Sequence, residues 1–180
     1  MDATALLAFL TLISNATVIF CLACWLWVRV SRGGVWEKIE KNLTKYSLNI
    51  ALLVSLTSVL GSLYFSEIRG FVPCKLCWYQ RIFMYPQAVI LAIAMSRKLK
   101  DIFSYTLVLS FIGGVIALYN YFLQISPNPY APCEVIGFSV SCNERFFTYF
   151  GYITIPWMSL SAFVIIIFLS LLNLKKVKDH

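Results

Sequence analysis

The residues able to do chemistry are six cysteines, which fall by proximity into three pairs: Cys21/Cys24, Cys74/Cys77 and Cys133/Cys142. The middle pair forms a CxxC within Pro73-Cys74-Lys75-Leu76-Cys77-Trp78-Tyr79-Gln80-Arg81, a stretch lying between two long apolar runs. Three chemistries fit a CxxC: half of a metal site, a structural disulfide, or a redox dithiol. Zinc would need four ligands, and Cys133 and Cys142 could supply the other two. The same four sulfurs could also form two static disulfides. Position favours redox work. Cys77 is expected at the start of a helix, where unpaired N–H groups and the helix dipole favour a thiolate. Arg81 follows one helical turn later on the same face. An arginine at the edge of a membrane helix is costly unless it has a role or snorkels to the interface. With the CxxC beside it, a guanidinium next to a thiolate and a reducible ring is the stronger reading. The following residues, Trp78 to Tyr85, add aromatic rings and the Met84 thioether. Singly these are ordinary interfacial anchors, and together they suit a flat apolar cofactor such as a quinone head group.

The elements that must hold these groups are membrane helices. Of 180 residues, 60% are hydrophobic and only 13% charged, where soluble domains carry about a quarter charged residues; mean hydropathy is +0.78. Several apolar runs reach the ~20 residues needed to cross a bilayer. The fold class expected is all-α, a polytopic membrane protein with five spans at roughly 3–28, 46–66, 77–95, 102–125 and 149–172. The first run begins Met1-Asp2 and has no Lys or Arg before Arg29, so a retained helix with its N-terminus outside fits better than a signal peptide. After the Gly33-Gly34 breaker, Val35, Trp36, Ile39 and Leu43 recur at helical spacing, which suggests a short interfacial helix. Gly113-Gly114 in the fourth run is small enough for close helix contact.

Charge sets the orientation. Eleven of the fifteen Lys and Arg lie in 29–45, 97–100 and 175–178, against Arg69, Lys75, Arg81 and Arg145 elsewhere. The positive-inside rule then puts the N-terminus out and the C-terminus in, which leaves Cys74, Cys77, Cys133 and Cys142 on the extracytoplasmic side, where disulfides persist. In a membrane protein the net charge of +7 reads as this cytoplasmic bias, not as a nucleic-acid surface. The single histidine, His180, argues against haem, catalytic zinc or a Ser-His-Asp triad. Cys21 and Cys24 fall in the cytoplasmic half of the first span and read as small packing hydrophobes.

Pro73-Cys74 through Cys77-Trp78-Tyr79-Gln80-Arg81-Ile82, extended by Phe83-Met84-Tyr85-Pro86, resembles the signature of the DsbB disulfide bond formation protein family, especially its Gram-positive-type BdbC members. Gly151-Tyr152-Ile153-Thr154-Ile155-Pro156, followed by Met158-Ser159-Leu160, resembles the start of that family's last helix, and the Cys133…Cys142 loop stands where the family has its second cysteine pair. The resemblance covers roughly residues 44–175. It implies a four-helix transmembrane domain (44–180), with 1–43 as an added N-terminal helix and cytoplasmic interfacial segment. It implies redox-active disulfides Cys74–Cys77 and Cys133–Cys142, all four cysteines being catalytic. Cys77, Arg81, Trp78 and Tyr85 would bind a quinone (ubiquinone or menaquinone). Cys133 would be attacked by a DsbA-like thioredoxin-fold oxidase. The location implied is the bacterial cytoplasmic membrane, with no resident metal. The loop cysteines are nine positions apart, which leaves little room for a shuttling amphipathic segment between them. The rival reading is a non-enzymatic membrane scaffold with two structural disulfides. A disulfide reductase fed from the cytoplasm is opposed by the lack of a cysteine ladder across the membrane.

Overall fold

The computed structural model describes residues 4–13, 15–16, 35–97, 99, 101–126, 141–142 and 145–178. Cys21, Cys24 and Cys133 lie outside them, so the expectations placed on those cysteines are not addressed by it. The described helices are α1 (Thr4–Ile13), α2 (Val35–Leu63), α3 (Lys75–Arg97), α4 (Ile102–Ile125) and α5 (Ile155–Lys178). A π-helical turn, Tyr64–Ile68, continues α2. Among the described residues there is no strand beyond an isolated bridge between Tyr149 and Ile153.

Helices α2 to α5 pack in a ring, each against the next and α5 against α2. Glu40 at the start of α2 meets Lys175 at the end of α5, with 3.4 Å between charged atoms. The core lies in three layers. Ala51, Leu52, Leu91 and Leu169 fill the end near that ion pair. Met84, Ala117, Ala162, Phe163 and Ile166 fill the middle. Cys74, Leu123 and Cys142 fill the far end. Apolar residues also cover the outside, with Leu60, Tyr105, Val108 and Phe111 all exposed. A helix apolar on every face belongs in lipid.

Among the described residues three helices, Ile39–Ile68, Ile102–Ile125 and Ile155–Lys175, are long and apolar enough to cross a membrane. The expected third span, α3, has 23 residues but a polar run, Gln80, Arg81 and Gln87, that lowers its hydropathy. Gln87 is fully buried: its amide donates to the Phe83 carbonyl at 2.9 Å and its oxygen accepts from Ser110 of α4 at 2.8 Å. These bonds satisfy polar groups inside the bundle beside Pro86, where the helix lacks a backbone donor.

Two expectations change. The interfacial helix over 35–43 is not separate but forms the first turns of α2, which runs unbroken from Val35. The last helix begins at Ile155 instead of about 149. Ahead of it Tyr149 and Ile153 pair, and Phe150 and Gly151 take positive φ of 52° and 80°. Pro156 then sits in the helix's first turn, where its missing N–H costs nothing.

The close contact expected at Gly113-Gly114 is present. The Phe163 ring of α5 rests where a Cβ on Gly113 would stand. Gly113→Ala should therefore overpack the middle layer and cost about 1–3 kcal/mol, read as a lowered denaturation temperature in detergent. An unchanged temperature would contradict this packing.

Candidate functional site

The CxxC closes one end of the bundle. Cys74 directly precedes α3 and takes the place of a capping residue. Its sulfur accepts the Cys77 backbone N–H at 3.3 Å, as a serine or aspartate oxygen would, and its carbonyl accepts from Trp78 at 3.1 Å. The helix-end stabilisation expected for Cys77 thus reaches Cys74. The two sulfurs are 2.7 Å apart and both are free thiols. Asn120 of α4, fully buried, points its amide nitrogen at both, 3.7 Å from Cys74 Sγ and 3.5 Å from Cys77 Sγ.

Cys74 lies at the end of the bundle, ahead of the helical span. The Cys77 thiol hydrogen bond holds its pKa at about 7 instead of 9.0; burial opposes the shift, while the Cys77 N–H and the Asn120 amide assist it. A depressed folded-state pKa favours the folded thiolate, so the stabilisation is fully present above the ordinary value of 9.0 and disappears as pH falls through about 7. The ultraviolet absorbance that the reduced protein loses on Cys74→Ser should titrate with a midpoint near pH 7. A midpoint at the ordinary thiol value would contradict the capped geometry.

Cys142 of the second cysteine pair packs beside these two cysteines. Cys142 is 1% exposed and disulfide-bonded, and it shares the buried cluster of Cys74 and Leu123, with Leu76 and Cys77 against it. Just beyond, Arg145 donates to the Gln124 carbonyl at the end of α4, with Nε at 2.7 Å and Nη2 as a second donor. A cation there complements the helix C-terminus. Phe146 then stacks on Phe71 at 4.6 Å between ring centroids, and Phe147 packs on Phe65 at 5.4 Å. These contacts fix the segment after Cys142 to the one leading into Cys74.

On the other side of the pair lies a cavity of about 310 Å³, within the range of small-molecule sites. Cys77, Gln80, Arg81, Met84 and Tyr85 of α3 line one wall; Ser58, Gly61 and Ser62 of α2 and Met158 and Ser159 of α5 line others. Cys74 is not among the lining residues, whereas Cys77 lines the cavity and also packs against the cluster that holds Cys74 and Cys142. Arg81 reaches across to α2, its Nη2 3.2 Å from the Ser62 carbonyl, and stacks over Trp78 at 5.1 Å. No hydrogen bond joins it to either sulfur among the described residues. Tyr85 donates its hydroxyl to Ser62 Oγ at 3.2 Å. Trp78, expected to touch a cofactor, is 53% exposed and supports Arg81 without lining the cavity.

A model of the disulfide bond formation protein DsbB matches residues 44–173. The chain belongs to the DsbB family. It is 46% identical over 127 residues to disulfide bond formation protein C of Bacillus subtilis, covering 69% of this chain and 90% of that protein. Probable disulfide formation proteins C of Halalkalibacterium halodurans and Bacillus cereus are 44% and 43% identical, over 69% and 73% of this chain and 90% and 94% of theirs. No solved structure matches. DsbB membership makes the chain a membrane protein of disulfide bond formation, and the BdbC-like resemblance of its motif stands.

Sequence reasoning missed two residues of this DsbB-family site. Asn120 contacts both sulfurs, and Gln80, 5% exposed, lines the cavity, its buried amide nitrogen without a partner among the described residues. Each is a polar side chain inside an apolar helix, which is costly without a purpose. That signal was readable; the direction each side chain points was not.

Proposed function

We propose that the protein is a quinone-linked thiol oxidase that reoxidises a DsbA-like thioredoxin-fold dithiol and so sustains disulfide formation. One observation carries the reading: Cys74 packs in one buried cluster with the disulfide-bonded Cys142, while Cys77, at the edge of that cluster, also lines a cavity with Arg81. Electrons thus have an inlet on one sulfur and an outlet beside the other.

The cavity's residues suit a quinone ring. The orphaned Gln80 amide and the Arg81 guanidinium are donors to ring carbonyls, and Met84 and Tyr85 are apolar walls. A bound quinone would supply an acceptor of two electrons and two protons. The protein's own steps are thiol–disulfide exchanges. A partner thiolate attacks the Cys133–Cys142 disulfide at Cys133, and the partner's second thiol resolves the mixed disulfide, leaving the partner oxidised and the loop pair reduced. A loop thiolate then attacks Cys74 of an oxidised CxxC, breaking the Cys74–Cys77 bond and freeing Cys77 toward the cavity. The second loop thiol resolves that intermediate, and the loop disulfide re-forms. The reduced CxxC gives up two electrons and two protons at the cavity and closes its S–S bond again. Asn120 stabilises charge on either sulfur throughout.

The charge distribution supports a bacterial cytoplasmic membrane protein of five spans, N-terminus outside, with the four cysteines extracytoplasmic. On this reading residues 1–43 are an addition to a four-helix domain over 44–180. The purified protein, given a reduced thioredoxin-fold partner and either ubiquinone or menaquinone, should oxidise the partner and reduce the quinone in equal amounts. Cysteines that stay fixed in their redox state whatever quinone is supplied would instead fit a scaffold with structural bonds.

A further inference from the structure

The family match begins at residue 44, yet α1, which precedes it, forms part of the cavity. Leu7, Leu10 and Thr11 line it. Helix α1 and Asn15 just beyond it are fastened at three points. Thr4 Oγ1 lies 2.9 Å from the Tyr149 hydroxyl, and Ser161 Oγ donates to Asn15 Oδ1 at 2.7 Å. Between them Leu7 sits against Gly61 of α2, so close that a Cβ there would stand 3.3 Å from Leu7 Cδ1. Ala8 is fully buried.

The depth of this wall follows from the register of α2. Ser62 marks the level of Arg81, and Leu7 meets the adjacent Gly61. Leu53, also lining the cavity, is nine residues back along α2, about 13 Å deeper at 1.5 Å per residue. Leu10 and Thr11 follow Leu7 in the same direction, toward the Asn15–Ser161 bond. Thr11 donates its hydroxyl to its own helix, to the Leu7 carbonyl at 2.8 Å, so it offers the cavity carbon. The polar donors gather near Cys77, and α1 walls the apolar part beyond them.

We propose that α1 is the tail-side wall of this cavity and that Leu7, Leu10 and Thr11 select the quinone by the apolar chain on its ring. The inference deepens the quinone reading and rests on it. A ring held at Gln80 and Arg81 directs its chain away from the sulfurs along α1, and the wall limits how bulky that chain is and where it leaves.

The test is direct binding, read as quenching of tryptophan fluorescence in the full-length protein by two quinones with the same ring, one bearing a decyl chain and one with none. Thr11→Phe fills the space beside the chain and should weaken the decyl quinone about tenfold, with the chainless ring held within about twofold. Thr11→Val, which keeps the shape, should bind both as the wild type does. Leu10→Ala removes chain contacts without adding bulk and should lower the preference for the decyl quinone several-fold, which decides the matter if Thr11→Phe fails to fold. Variants that leave both affinities unchanged, or weaken both quinones equally, overturn the wall while leaving the quinone reading intact. A wild-type protein that binds neither quinone overturns the quinone reading and this inference with it.

Discussion

Replacing Cys142 with serine should stop oxidation of a thioredoxin-fold partner, lowering its rate by about 10³-fold or more, the scale seen when a covalent relay loses a member. The CxxC should keep its own chemistry in this variant, because its helix cap, its Asn120 contacts and the cavity's Arg81 and Gln80 do not depend on the Cys142 sulfur. A small dithiol reagent that reduces Cys74–Cys77 directly should therefore still drive quinone reduction, within a few-fold of wild type. The two assays separate inlet from outlet. Loss of both activities would mean that Cys142 supports the fold and not the relay. Loss of neither would mean that the partner reaches the CxxC without the loop. Arg145 and Phe146, bonded to Gln124 and stacked on Phe71, should then prove irrelevant to the partner reaction as well.

The second large effect belongs to Asn120. Its amide is the side-chain donor shared by the two sulfurs, and hydrogen bonds to charged groups contribute about 1.5–3 kcal/mol. Asn120→Leu, similar in volume, should slow quinone reduction roughly ten- to a hundredfold and raise the Cys74 pKa from about 7. The fold should not suffer. Asn120 Oδ1 is buried without a partner among the described residues, so leucine removes an unsatisfied acceptor, and the denaturation temperature should hold or rise. A purely structural asparagine would give the opposite pattern: a lower denaturation temperature with an unmoved thiolate titration. Measuring both on one preparation distinguishes the two.

Several elements were legible in the sequence because they depend on local chemistry. Apolar length located α4 at its observed bounds and α3 within two residues at each end. The glycine pair in α4 announced the close approach of α5. The CxxC, the loop cysteine and Arg81 were all found by residue type and spacing. What could not be read was rotation. Whether Cys74 or Cys77 receives the helix end depends on where α3 starts, and one turn of difference exchanges their roles. Trp78 and Gln80 are neighbours, yet α3 turns one outward beneath Arg81 and the other into the cavity. Hydropathy also treated α2 and its basic approach as two segments, although the backbone is helical throughout from Val35. That α1 reaches the cavity at all follows from packing against Gly61, Tyr149 and Ser161, contacts with no sequence-local signal.

On the proposed mechanism the CxxC delivers its electrons to a quinone in the cavity beside Cys77. The most direct measurement starts with protein whose Cys74 and Cys77 are reduced, adds one equivalent of quinone without oxygen, and quenches with acid. Free thiols are then alkylated and the peptide containing both cysteines is weighed. The relay predicts that two alkyl labels disappear from this peptide for each quinone reduced, as the Cys74–Cys77 disulfide closes. A peptide that keeps both labels at every quinone concentration would contradict it.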